Sequence, residues 1–426
     1  MRKALLFLPL FSLCLPGFTQ SSIQSWVTGN ASQVRTGHPD STDFSDLAAM
    51  GKAIGDARIV MLGEQDHGDA ATFETKTRLI RYLHEVKGFN VLAFESDFFA
   101  LNDGWDQLPK TDTGIYSFLR RNITGVWSAC DACQYLEKKQ IPASFTTDNP
   151  LMITGIDLQT ALSYSNKNLS QRLDSVLRSY VLPITQTPAY AAEYVPLFDS
   201  LSRLLFAKKS PGFYDTAVEK LTRLKTELST RTHGQDFWVV LLDNLVHLAL
   251  EFKYLPTDSD KGRNERDIQM ANNLKWLANY KYKNEKIIVW AQNFHVSKYS
   301  GHYSRLYNNL VSMGTVFTND PLLASQTYIV GFSSAAGETG IVSRKPYPVS
   351  SPGKNSFERW INESWNYAFV DFSGFNKQNN NANTEFTMNG SVVEALHTPY
   401  TAQWTRIFDG VFFVRNQRKC EDARKE

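Results

Sequence analysis

Five short runs rich in apolar and β-branched residues, with none of the polar alternation of a half-exposed strand, constrain this chain more than any other feature. They are Arg58–Leu62, Phe89–Phe94, Leu151–Ile156, Lys286–Trp290 and Thr327–Phe332. Successive side chains of a strand point to opposite faces of its sheet, so a continuously apolar strand must be covered on both sides. Strands of that kind belong to parallel or mixed sheets packed between helices. Between the first two runs, Phe73, Ile80 and Leu83 fall near one face of a helical stretch, and Gly88 supplies its C-terminal stop. Strand, helix and strand in succession make a βαβ unit. The expected class is therefore α/β, with a mixed, largely parallel sheet flanked by helices. Asp409–Val414 reads as the last strand.

One stretch departs from this rhythm. From Asn166 to Asp258 the chain carries long helical patterns, such as Asp215–Leu228 and Asp236–Phe252, without strand-like punctuation. It reads as a helical insertion packed beside the sheet and covering the site. Such a division suits a length of 426 residues, since single cores stop growing beyond about 250–300 residues. The predicted layout is a signal peptide at 1–20, an α/β catalytic core formed by 21–165 and 260–426, and the insertion at 166–259.

The leader is read from Arg2 and Lys3, the apolar stretch Ala4–Pro16, and small residues at Gly17-Phe18-Thr19. The apolar part is too short to span a bilayer, so it reads as a secretory signal rather than a membrane anchor. Leu13 before Cys14 argues against lipid anchoring. Export to the periplasm or the extracellular medium is expected, with no stable membrane insertion. A net charge of +2, with the basic residues dispersed, makes nucleic acid a poor partner. Outside the leader, Cys130, Cys133 and Cys420 are too few for a disulfide framework. Cys130-Asp-Ala-Cys133 lacks the strand-to-helix setting of a redox motif. It reads as an incidental pair, or as a local disulfide in an oxidising compartment.

In open α/β sheets, ligands bind beyond the carboxyl ends of the strands. The first run leads into Gly63-Glu64-Gln-Asp-His67-Gly68, and the second into Phe94-Glu95-Ser-Asp97. The third ends in Gly155-Ile-Asp157, and the fourth leads into Ala291-Gln-Asn293-Phe-His295. Two histidines and several carboxylates thus project from one edge. A lone histidine is more often a hydrogen-bonded structural residue; the shared edge is what singles out His67 and His295. Gly63 and Gly68 permit tight turns and close backbone approach around His67. A neutral His67 would take a proton from water if Glu64 or Glu95 fixed its tautomer. His295 would donate to the oxyanion of a carbonyl becoming tetrahedral. His38, His84, His233, His302 and His397 have no comparable setting, and His247 reads as a core-helix residue. No G-x-S-x-G, H-E-x-x-H, phosphate-binding loop or dinucleotide fingerprint occurs. A water nucleophile therefore fits better than a covalent serine or cysteine.

Several blocks in the same order resemble the erythromycin esterase family. They are Val60-Met-Leu-Gly-Glu64-Gln-Asp-His67-Gly68, Lys76, Ala93-Phe-Glu95, Arg266-Asp267-Ile-Gln-Met270-Ala-Asn-Asn273, Trp290-Ala-Gln-Asn293-Phe-His295, Asn355-Ser-Phe-Glu358 and Phe408-Asp-Gly-Val-Phe412. The resemblance implies cofactor-free, metal-independent hydrolysis of a macrolide lactone, with a small-molecule ester as partner. It implies His67 as general base with Glu64 beside it, Glu95 as the second-strand acid and His295 as the second histidine. Lys76, Asn293, Arg266 and Asp267 are implied on the substrate side, although Arg266 and Asp267 would serve equally to tie their helix down. Gln292 stands where relatives commonly carry His, and Asp131 where they often carry Glu. Some members of the family act on substrates other than macrolides, including in exopolysaccharide synthesis. Two other readings stay open: a metal-dependent hydrolase using Glu64, His67, Glu95 and His295 as ligands, and a non-catalytic envelope binding protein.

Overall fold

The computed structural model describes residues 17–203, 209–232, 234–298, 309–379, 384–390 and 397–423. Most of the expected leader, residues 1–16, lies outside them, as do His233 and His302. The strands in chain order are β1 (Ser32–Val34), β2 (Ile59–Leu62), β3 (Phe89–Asp97), β4 (Met152–Asp157), β5 (Lys286–Trp290), β6 (Thr327–Thr339), β7 (Tyr347–Pro348), β8 (Tyr367–Asp371), β9 (Phe386–Met388), β10 (Tyr400–Ala402) and β11 (Gly410–Gln417). β9 and β10 form a separate ribbon; the others form one sheet ordered β1-β8-β11-β6-β2-β5-β3-β4, with β7 beside β6. From β11 to β4 all neighbours are parallel, while β8 pairs antiparallel with both β11 and β1. The five apolar runs occupy β2 to β6.

Their unbroken apolar character has a direct cause. Ile59, Met61, Val91, Ala93, Ile287 and Val289 face one core, against Met270, Leu274 and Phe294. The alternating Val60, Leu62, Leu92, Phe94, Ile288 and Trp290 face the other, against Phe73, Ile80 and Leu83 of the Ala70–Glu85 helix. Every one of these strand residues is buried. Each such aliphatic side chain stabilises the fold by about 1.5–3 kcal/mol relative to exposure, so both faces are strongly specified.

The segment expected as an insertion contains the helices Ser163–Ser179, Pro211–Thr232 and Phe237–Tyr254. Leu169, Leu173 and Leu177 recur at helical spacing and join Leu221, Leu224, Leu228 and Leu245 in a third core. Phe98 and Phe99, just beyond β3, anchor that core to the sheet. His247 is half-buried, and its Nδ1 lies within hydrogen-bond distance of Glu265, at 2.8 Å, so the residue sits at the edge of its helix's packed face and not within the core.

The cysteine reading needs correction. Cys130 pairs with Cys420, 290 positions away in sequence, and Cys133 is a buried free thiol. β11 carries the chain to the segment around Cys130, a proximity that spacing along the sequence does not reveal. Among the described residues, no helix is long and apolar enough to cross a membrane.

Leu62 is fully buried on the central strand. Leu62→Ala is expected to cost about 2–5 kcal/mol, read as a lowered urea midpoint with an unchanged slope.

Candidate active site

The carboxyl ends of β2, β3, β4 and β5 meet at one edge. After β2 the chain passes under Asn293, and a Cβ on Gly63 would lie 2.1 Å from Asn293 Oδ1. A Cβ on Gly68 would lie 2.2 Å from the carbonyl carbon of Gly340. Neither glycine is among those with positive φ, so they are required by close approach and not by a left-handed turn.

His67 lies on this loop with 30% of its side chain exposed. Its Nδ1 is 2.9 Å from Glu64 Oε1. A carboxylate only accepts, so Nδ1 carries a proton, and in the neutral ring Nε2 keeps its lone pair. Glu64 is itself fully held. Trp127 Nε1 donates to Oε1 at 2.8 Å, and Lys76 Nζ donates to Oε2 at 2.6 Å. Lys76 is buried with Nζ 4.0 Å from the centre of the Trp290 ring. The Trp127 ring also meets His67 edge-on at 5.3 Å. Burial of the His67 ring opposes its charged form, but the Glu64 hydrogen bond and the charges of Glu95, Glu64 and Asp66 outweigh that and raise its pKa above 6.5. Burial wins at Lys76, whose pKa is lowered despite Glu64.

A second cluster lies beside the first. Glu95 Oε1 is 3.0 Å from Arg266 Nη2 and 3.3 Å from His295 Nε2, and Oε2 accepts from the Gln292 N–H at 3.0 Å. The β3–β4 register shifts between Phe94 and Asp97, the kind of irregularity that re-aims side chains beside a site. Arg266 also forks onto Asp157 at 3.1 and 2.6 Å. His295 Nδ1 is held at 2.8 Å by Asp267, which also accepts from the Met313 N–H. Burial would raise the Glu95 pKa, yet His295, Arg266 and His67 bring it down to about 2. Burial alone would lower the His295 pKa, but Asp267 and Glu95 raise it.

His67, Glu95, Asp97, Asp157 and Arg266 line a cavity of about 260 Å³ whose apolar wall includes Trp127, Val126 and Leu162. Burial pushes the Asp97 pKa up to about 6. Three residues expected on the substrate side are elsewhere. Asn293 spends its amide on the Phe332 backbone, donating at 2.8 Å and accepting at 3.0 Å, and so laces β5 to β6. Lys76 and Asp267 stand behind the wall, holding Glu64 and His295. His295 too sits behind Glu95 rather than on the wall. Among the described residues, none that line this cavity comes from 166–259; on that side of the chain the lining stops at Gln159, Ala161 and Leu162.

Three participants were not foreseen. Asp157 was visible as a strand-end acid, but nothing in its neighbourhood tied it to Arg266. Trp127 follows no strand and is 63 positions from Glu64, so no local pattern marks it. His397 is buried with Nε2 2.7 Å from Asp69, on the loop that carries His67.

The metal-ligand reading finds little support in the donor set. Both Glu64 oxygens are occupied by protein donors. Among the described residues, no group of three or more His, Cys, Asp or Glu side chains is arranged to hold a metal ion.

The erythromycin esterase family model matches residues 84–416. The chain belongs to the erythromycin esterase family. The matched stretch begins downstream of His67, so the place of that histidine rests on the geometry above. The putative hydrolase YbfO of Bacillus subtilis is 25% identical over 410 residues, covering 87% of this chain and 84% of its own. An erythromycin esterase type II of Escherichia coli is 24% identical over 303 residues, covering 65% of this chain and 69% of its own. The crystal structure of a Bacillus cereus protein superposes with a TM-score of 0.75 at 18% identity, over 95% of this chain and 99% of that one. A mutant erythromycin esterase in its open conformation superposes with a TM-score of 0.66 at 16% identity, over 91% and 98%. These structures share the fold.

The Glu64 hydrogen bond is the largest influence raising the His67 pKa, and burial acts against it. His67 is therefore expected to titrate above 6.5 in wild type, and lower in Glu64→Gln. Carbon-13 NMR of labelled imidazoles reads both values; equal midpoints in the two proteins would refute the Glu64 linkage.

Proposed function

We propose that this member of the family is a carboxylic ester hydrolase in which His67 activates water. The observation that carries this reading is the Trp127/Lys76–Glu64–His67 chain, which ends in His67 on a cavity wall, where the neutral ring offers Nε2 as a base. His67 takes a proton from water as its oxygen bonds to the ester carbonyl carbon. The tetrahedral intermediate collapses with loss of the alkoxide, which receives that proton from His67. One water is consumed, and an acid and an alcohol leave. Glu64 stabilises the imidazolium formed in between.

Arg266 takes over the part first expected of His295. It lines the cavity, and although burial opposes its charge, Asp157 and Glu95 hold its pKa well above the ordinary value. It is the cation nearest to hand for a developing oxyanion. Asp267, His295 and Glu95 act behind it as an ordered chain of charges that keeps Glu95 ionised.

The family name directs attention to macrolide lactones. The cavity of about 260 Å³ lies below the ~300–1,000 Å³ usual for drug-sized ligands. A macrolactone therefore requires the cavity to widen, whereas a smaller ester does not. The relative solved in an open conformation supports the first route. We further propose export: the Cys130–Cys420 disulfide suits an oxidising compartment, in keeping with the leader read at 1–20.

Purified protein should add one water to erythromycin or to a smaller lactone, followed by mass spectrometry. His67→Ala should lower the rate about 10²–10⁴-fold while leaving the circular dichroism spectrum intact. Hydrolysis that survives this substitution would remove His67 from the mechanism. Because the working form of His67 is neutral and its pKa is raised, kcat/KM should fall on the acid side with a midpoint above 6.5. Dialysis against EDTA should leave the rate unchanged; a loss restored by a divalent ion would favour the metal-dependent reading.

A further inference from the structure

The segment Arg418–Ala423, just past β11, touches both of the pieces that hold His67. On one side it meets the start of the Ala70–Glu85 helix. The Ala70 N–H donates to the Arg418 carbonyl at 3.0 Å, and Asp69 forms an antiparallel bridge with Lys419. Arg418 Nη2 lies 2.5 Å from Glu74 on that helix. On the other side it meets the segment that follows Trp127. The Asp131 N–H donates to the Glu421 carbonyl at 3.0 Å, the Glu421 N–H returns to Asp131 Oδ1 at 2.9 Å, and the Ala423 N–H donates to the Ala129 carbonyl at 3.0 Å. Arg418 Nη1 pairs with Asp131 at 2.8 Å, so one guanidinium bridges a carboxylate on each piece. The Cys130–Cys420 disulfide closes the assembly.

We propose that Arg418–Ala423 is a disulfide-locked strap in which Arg418 and Cys420 are positioning residues: it sets the spacing between the His67 loop and Trp127, and thereby the Trp127–Glu64–His67 chain. Trp127 belongs to a helical turn of only four residues, Gly125–Ser128, too short to hold its own position. Upstream it is tied to β3 through the Thr124 N–H and Ser96 Oγ at 3.0 Å. Downstream, the disulfide begins three positions later and the strap supplies the paired backbone hydrogen bonds. Since the Trp127 indole donates to Glu64, any slack in this segment reaches the carboxylate that orients His67. The kinetic consequence rests on the hydrolase reading; the structural one does not.

The test follows the exchange of the Trp127 indole N–H by nitrogen-15 NMR, assigned with Trp127→Phe. Two strap variants are compared with wild type: Cys130→Ser/Cys420→Ser, and Arg418→Gln, which keeps the disulfide. In both, Trp127 exchange should accelerate at least about tenfold while the β2 amides keep their protection. The value of kcat should fall about tenfold with KM little changed, as for a misplaced catalytic group. Unchanged Trp127 exchange in both variants would overturn the proposal. If the double serine variant does not fold, Arg418→Gln decides alone. Faster Trp127 exchange in a protein that cleaves no ester would support the strap and sink the hydrolase reading.

Discussion

The Glu64 carboxylate is the interaction on which the rest of the site depends. It is fully buried, and an ionised carboxylate out of water is costly unless paired and hydrogen-bonded. Its three side-chain partners come from three places: His67 on the same loop, Lys76 on the Ala70–Glu85 helix, and Trp127 on a distant short turn. Lys76 is buried as well, so neither charge is tolerable without the other. Breaking such a pair by removing one partner typically costs about 3–5 kcal/mol. The Glu64–His67 arrangement therefore forms only when the sheet, the helix and the Trp127 turn have docked, and that docking is in turn held by the pair.

Around Arg266 the same logic operates with more charges. Asp157 and Glu95 share its guanidinium, and Asp267 and His295 continue the alternation. Glu251, from the Phe237–Tyr254 helix, lies close enough to feel both Arg266 and Asp157; burial pushes its pKa up to about 7. Gln159 donates to that carboxyl at 2.9 Å. Asn244 on the same helix exchanges hydrogen bonds with Asn273, which also donates to the Ile156 carbonyl. The insertion thus influences the site from behind, by fixing the helix that bears Arg266 and the end of β4.

Sequence patterning and tertiary structure divide the work along a physical line. Strand placement was legible because burial on both faces leaves a one-dimensional trace, an apolar run closed by a polar residue. That trace also located Glu64, Glu95, Asp157 and His295 at one edge, since a parallel sheet aligns its carboxyl ends. It could not distinguish side chains on the cavity wall from those one layer deeper. Asn293 lies as near to the edge in sequence as His67, and Lys76 lies on the helix that follows, but their donors are consumed by Phe332 and Glu64.

Partnerships across long stretches of chain left no such trace. The Cys130–Cys420 bond, the Trp127–Glu64 hydrogen bond and the Asp69–His397 contact each join segments brought together by sheet order. β11 follows β10 in the chain, yet it lies beside β6, and its end returns to the Cys130 segment. The sequence by itself determined the class of fold and the edge at which Glu64, His67, Glu95 and His295 gather, because burial and periodicity are local properties. Only the tertiary structure decided which groups face the cavity, which hold them and what clamps them. Those depend on hydrogen-bond distances between elements that no spacing along the chain records.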